Sequence, residues 1–347
     1  MTGIITRRQT LALLGGAAAA AGLKGTAMAQ GAQPFVANTY GGRWEDFWRK
    51  QVNPGLEAIL KRPIKLDIGL GNAWVTSFRA AGKDKPPFTS LMFNERFATI
   101  LRTEGFFSPL PADKIPNLAD VYPIARYEGD ISVTGIVSPI GIAYRTDLIK
   151  TPPQSWKDLW KPEYKGQLGM YAISNSLGIM MLMLAGQLFG KDQYDIDTGF
   201  KKLKELKPFP QVDFSGALAP LLTQGQVAIA PIDIAEAVAL QKKGVPIKVA
   251  MPSDGILMFD QCYNVLAAGA DKEAAYAYIN YMLSPEIQEK LMREFYVAPT
   301  NRKVVVPDDL KEAVPVSGEA MKDIIRFDWG YVAKNRDAIL DRWSREI

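Results

Sequence analysis

Residues Ile131 to Tyr144 read ISVTGIVSPIGIAY, an apolar run long enough for a strand but interrupted by Gly135, Pro139 and Gly141. Proline removes a ladder donor and glycine weakens a strand interior, so the run does not read as an ordinary buried central strand. It predicts an extended segment that crosses from one packing unit to another. The stretch Asp260 to Ala267, DQCYNVLA, reads as extended too. A complete set of strand and helix patterns lies between them. Two crossing strands separated by an α/β unit imply that the middle of the chain is inserted into a first lobe built from both ends.

Strand patterns before the first crossing are Phe35 to Thr39, Ile64 to Leu70 and Thr89 to Phe93. Trp44, Phe47, Trp48, Val52, Leu56, Ile59 and Leu60 recur at helical spacing, with Pro54 breaking or restarting the helix. Inside the inserted part, Leu168 to Ile173, Val227 to Pro231 and Ile247 to Met251 read as strands, and Leu177 to Leu188 as a buried helix. Lys272 to Leu283, Pro285 to Phe295 and Trp329 to Trp343 close the chain as helices. The fold class is therefore α/β with two lobes, each a mostly parallel sheet flanked by helices. Residues 30–136 with 263–347 are expected to form lobe 1, and 137–262 lobe 2.

The first 29 residues predict a cleavable export signal. Arg7-Arg8 precede an acid-free apolar run from Leu11 to Leu23 that ends at Ala27-Met28-Ala29, and the paired arginines suggest the twin-arginine route. A soluble periplasmic protein is expected. Removing the signal takes three of the 41 basic residues and none of the 37 acidic ones, leaving a net charge near +1 and no hint of nucleic acid. The chain has one cysteine, Cys262, and no histidine. No intramolecular disulfide can form, and the commonest general base and metal ligand are missing. No Gly-x-Ser-x-Gly elbow, phosphate loop or metal-ligand cluster supports the rival reading of an exported hydrolase or lyase. An enzyme, a cofactor and a bound metal are not expected.

The segment Ser155-Trp156-Lys157-Asp158-Leu159-Trp160-Lys161-Pro162-Glu163-Tyr164-Lys165-Gly166 is similar to the one that opens the second lobe in type II periplasmic binding proteins. The chain resembles in particular the spermidine/putrescine-binding and related extracellular solute-binding proteins. Gly225-Gln226-Val227-Ala228-Ile229, Leu283-Ser284-Pro285-Glu286, Val297-Ala298-Pro299-Thr300-Asn301 and the stretch Asn335-Arg336 to Trp343 follow in the same order. The resemblance implies a substrate-binding component of an ABC importer, acting as a monomer. It would close two lobes on a small solute and deliver it to the transmembrane subunits of the permease.

In such α/β sheets ligands lie beyond the carboxyl ends of the strands. The candidate contacts are Tyr40, Arg43, Trp74, Asn94, Glu95, Ser174, Asn175, Ser176, Asp233, Met258, Phe259, Asp260 and Tyr263. A carboxylate inside Ile256-Leu257-Met258-Phe259-Asp260 is costly unless it is paired or meets a cation. The resemblance implies that Asp260 binds an amine. Asp233 stands where those relatives place an aromatic residue, a departure that adds negative charge. Tyr40, Trp74, Phe97 and Phe259 could line a cleft suited to a polyamine-like cation, whereas Trp44 and Trp48 read as core. Ser174-Asn175-Ser176 at a helix start, with Arg43, points instead to an acid group and a zwitterionic aminophosphonate. Thiamine and ferric ion complete the set of candidate solutes; iron-binding relatives use adjacent tyrosines, and this chain has no such pair.

Overall fold

The computed structural model describes residues 33–347, so the export signal expected over residues 1–29 lies outside the described residues. Strands run in the order β1 (Phe35–Thr39), β2 (Ile64–Ile68), β3 (Ser90–Phe93), β4 (Phe107–Ser108), β5 (Val133–Arg145), β6 (Met170–Tyr171), β7 (Gln211–Val212), β8 (Ile229–Asp233), β9 (Ile247–Ala250) and β10 (Leu257–Leu266).

The longest strand is β5, at 13 residues, and it is buried throughout except at Ser138. Its first part pairs antiparallel with β10, and its second part pairs with β8 and β9. The other edge of β10 carries β3 and β4. The β5–β10 ribbon therefore belongs to both halves of the molecule. A Cβ at Gly135 would stand 2.2 Å from the Tyr263 ring, and one at Gly141 would stand 2.8 Å from the Ala250 carbonyl. Both glycines thus permit close approach, which is how a strand can hold them without fraying. The register shifts between Gln261 and Cys262, a bulge on the crossing strand.

The pairs β1–β2 and β6–β7 are parallel, as expected of an α/β lobe, while the crossing ribbon is antiparallel to its neighbours. Asn38 joins β1 to β3 through its side chain, donating to the Met92 carbonyl at 2.6 Å and accepting the Met92 N–H at 2.7 Å. A side-chain amide mimics a peptide unit here, replacing a backbone rung.

Two main cores lie at the two ends of the ribbon, one taking Val133 and Val265 and the other Tyr144 and Leu257. The first gathers Phe35, Trp48, Leu56, Val133, Tyr263, Tyr278 and Ile287. The second gathers Ile140, Trp156, Tyr171, Met181, Phe200, Leu222 and Leu257. The helix Ser176–Phe189 is apolar all round, and it is buried from Ser176 through Gly186. The lobe boundaries expected from the sequence put the closing stretch in the first lobe, but Phe327, Trp329, Ile339 and Trp343 belong to the second core. The Trp343 indole donates to Gln211 Oε1 at 3.0 Å, and its ring lies 6.4 Å from that of Phe200. The expected helix over Trp329 to Trp343 is two helices, Trp329–Lys334 and Arg336–Glu346.

Candidate functional site

Helices begin directly after several strands, at Glu95 after β3, at Ser176 soon after β6, at Ser215 after β7 and at Ile234 after β8. Their first residues or caps meet in one cleft of about 330 Å³. Asn94, Asn175 and Asp233 cap three of these helices through their side chains. The cleft wall holds Tyr40, Trp44, Phe97 and Phe259 as rings, and Ser138, Ser174, Ser176 and Ser215 as hydroxyls. Asn94, Asn175 and Gln261 add amides, Ile136 is aliphatic, and Asp233 is the single charged residue of the lining. These helices point the positive ends of their dipoles at the cleft, against one fixed negative charge.

Asp233 is held from two sides. Its carboxylate accepts from the Ser215 hydroxyl, and the Glu236 N–H donates to it at 3.1 Å. Burial pushes its carboxyl above the usual range, partly countered by those donors. A carboxylate offers about four lone-pair sites, so capacity remains for a cation in the cleft. Across the wall, the Tyr40 hydroxyl donates to Gln261 Oε1 at 2.6 Å.

Strand alternation sorts the residues of β10. Phe259 and Gln261 face the cleft, while Met258 and Asp260 face the other side, along a separate cavity of about 30 Å³. Asp260, expected as an amine ligand, is instead tied into the protein. Its Oδ1 accepts from Asn94 Nδ2 at 3.0 Å and from the Glu95 N–H at 3.1 Å. Burial first, and then the Glu95 carboxylate, push its carboxyl up to about 7.

Glu95 is likewise committed, to a bidentate pair with Arg102 at 2.7 and 2.8 Å. The Tyr127 ring lies between two guanidiniums, with Arg102 4.2 Å and Arg326 4.6 Å from its centroid. Cys262 Sγ lies 3.2 Å from Glu95 Oε2, and burial drives its thiol well above the usual range. Glu95, Asp260 and Cys262 place ligand-type atoms within 4.8 Å of one another. Arg102 and Arg326 already supply the positive charge that a metal ion would bring.

The remaining expected contacts stand outside the cleft lining. Arg43 turns to the surface, where it pairs with Glu294 at 2.9 Å and covers the Phe295 ring. Trp74 is buried, donating to Asp67 Oδ1 at 2.7 Å and packing its ring behind Tyr40. Tyr263 lies past the bulge and is buried in the first core. Trp44, read as core, is instead half-buried and part of the wall. Ser138, Ser215 and Gln261 join the lining without standing among the expected contacts. Period-two alternation from Phe259 is the one signal in the sequence that points to Gln261.

Two sheet-bearing halves around one polar and aromatic cleft define a two-lobed binding protein of the periplasmic type. The profile of the bacterial extracellular solute-binding protein family matches residues 74–316, and the chain belongs to this family. It is 26% identical over 218 residues to the spermidine/putrescine-binding periplasmic protein of Escherichia coli (strain K12), covering 60% of this chain and 63% of that protein. That match spans less than two thirds of the relative's length. A gamma-aminobutyric acid-binding protein of Pseudomonas aeruginosa is 25% identical over 228 residues, covering 62% of each. Among solved structures, an ABC transporter from Clostridium perfringens superposes with a TM-score of 0.80 at 24% identity, covering 90% of this chain and 99% of that one.

Proposed function

We propose that this protein is the periplasmic solute-capturing component of an ABC importer and that its solute carries a primary amine received by Asp233. The carrying observation is that Asp233 is the single charged residue in a cleft otherwise walled by rings, hydroxyls and amides. A desolvated ammonium needs a carboxylate partner, and aromatic faces add to its attraction. The names of the relatives fit this chemistry, since spermidine, putrescine and gamma-aminobutyric acid all bear primary amines. The closed lobes would then be read by the permease, as a hinge motion between two packed halves allows.

A second reading adds an acid group at the other end of the solute. It is favoured by Ser174, Asn175 and Ser176, which bring the start of a 14-residue helix to the cleft. Calorimetric titration of the protein with putrescine, spermidine, 4-aminobutyrate and 2-aminoethylphosphonate separates the two. Binding of the polyamines favours a plain cation, and binding of 4-aminobutyrate or 2-aminoethylphosphonate alone favours a zwitterion. Asp233→Asn should weaken whichever binds by about 10- to 100-fold, the loss of a charged hydrogen bond. No binding of any amine, or full affinity in the variant, defeats the proposal.

A further inference from the structure

Asn94 makes hydrogen bonds in three directions at once. Its amide nitrogen donates to both the backbone carbonyl and Oδ1 of Asp260, each at 3.0 Å, on the crossing strand β10. Its oxygen accepts the Arg96 N–H at 3.2 Å, capping the helix Glu95–Thr103. The same oxygen accepts from Ser176 Oγ at 3.1 Å, on the far side of the cleft. The neighbours leave one orientation for the amide, because a carbonyl can only accept and an N–H can only donate. Asp260 therefore aims the Asn94 oxygen at Ser176.

Ser176 is spared from ordinary helix duty. Its helix is capped by Asn175, whose side chain accepts the Leu177 N–H at 2.8 Å. A second link runs beside the first, as Arg96 Nη1 donates to the Ser174 carbonyl at 2.9 Å. The Arg96 guanidinium makes no ion pair among the described residues, so this carbonyl is its polar anchor. Both links join the β3 side of the molecule to the segment that follows β6, and Asn94, Ser174 and Ser176 themselves line the cleft.

We propose that Asn94, aimed by Asp260, is a positioning residue that latches the two halves together through Ser176, with Arg96 on Ser174 as the parallel strap. The proposal rests on the two-lobed binding reading, but it does not depend on which solute binds. A latch raises the fraction of molecules in the closed arrangement, and apparent affinity scales with that fraction. Serine at position 94 keeps a capping oxygen while losing the amide nitrogen that Asp260 holds, so Asn94→Ser separates latching from capping. Ser176→Ala removes only the hydroxyl.

The test is a spin-label distance measurement with no solute added, using Lys83→Cys and Lys191→Cys, exposed positions on the two sides. The unaltered latch should give a closed population. Asn94→Ser and Ser176→Ala should each lower the closed-to-open ratio roughly 3- to 10-fold, as expected for one net hydrogen bond. The double variant should lose no more than the larger single loss, the signature of a shared contact. Thermal melts of each variant check that it folds, and Ser176→Ala carries the test if Asn94→Ser does not. An unlatched distribution without any closed population, unchanged ratios in the variants, or losses that simply multiply in the double variant would overturn the proposal. Because no solute is present, failure of amine binding by Asp233 shows in the titration and not here.

Discussion

Trp44 lies flat on Phe295, with ring centroids 4.1 Å apart and planes 8° from parallel. Phe295 is buried in the first core, so the stack anchors one wall of the cleft to packed protein. Trp44→Ala should cost about 10-fold in solute affinity, in line with the loss of one aromatic contact, and Trp44→Phe should keep most of it. Titration of the two variants checks this; equal affinity in Trp44→Ala and the wild type removes the indole from the binding wall.

Gly135 and Tyr263 occupy neighbouring places on the crossing ribbon with no room for a methyl group between them. Gly135→Ala should destabilise the fold by about 1 to 3 kcal/mol through overpacking. Urea unfolding measures it. A stability equal to wild type means that the ring shifts freely.

The Glu95–Arg102 pair is largely buried, with side-chain exposures of 9% and 18%. Removing one partner strands the other, so Arg102→Met should cost about 3 kcal/mol or more. Combining it with Glu95→Gln should restore part of that loss, because no unpaired charge is left behind. Denaturant midpoints of the three variants decide the matter.

Asp260 supplies a pH dependence with a definite sign. Its folded carboxyl titrates at about 7, far above a free aspartate near 4, among Glu95, Tyr127, Cys262, Arg326 and the Asn94 amide. Between those two values the folded state holds a proton that the unfolded chain has released. Stability from this group is therefore greatest below about pH 4, declines by up to about 1.4 kcal/mol per pH unit as pH rises towards 7, and levels off above it. Asp260→Asn cannot ionise, so it should melt higher than wild type at pH 8, and the gap should narrow at pH 5. Parallel melting curves at the two pH values would show an unchanged gap if the carboxyl is already ionised below pH 5.

Much of this architecture is legible in the residues. Gly135, Pro139 and Gly141 mark β5 as a crossing strand, and the strand ends at Tyr40, Asn94, Ser174 and Asp233 lead directly to the cleft. What the sequence hides is partnership across long separations. A carboxylate in an apolar stretch needs a partner, yet nothing near Asp260 in the chain reveals that Asn94 and the Glu95 N–H answer it or that Arg326 stands close by. The bulge is equally silent: Gly135 of β5 is its extra residue, and the Tyr263 ring packs over it in the first core. Trp44 follows a helical apolar period and so reads as interior, although the helix carrying it ends one of its faces at the cleft. The closing helices could pack against either half, and only the side-chain contacts of Trp343 show which.

Cys262 is the one cysteine of the chain, and it is enclosed beside a carboxylate with its thiol held protonated. The exterior consequently offers no native site for thiol chemistry. A single cysteine introduced at the rim of the cleft could be coupled to an environment-sensitive dye without protecting groups or background labelling, turning the protein into a one-component optical sensor for whatever it captures.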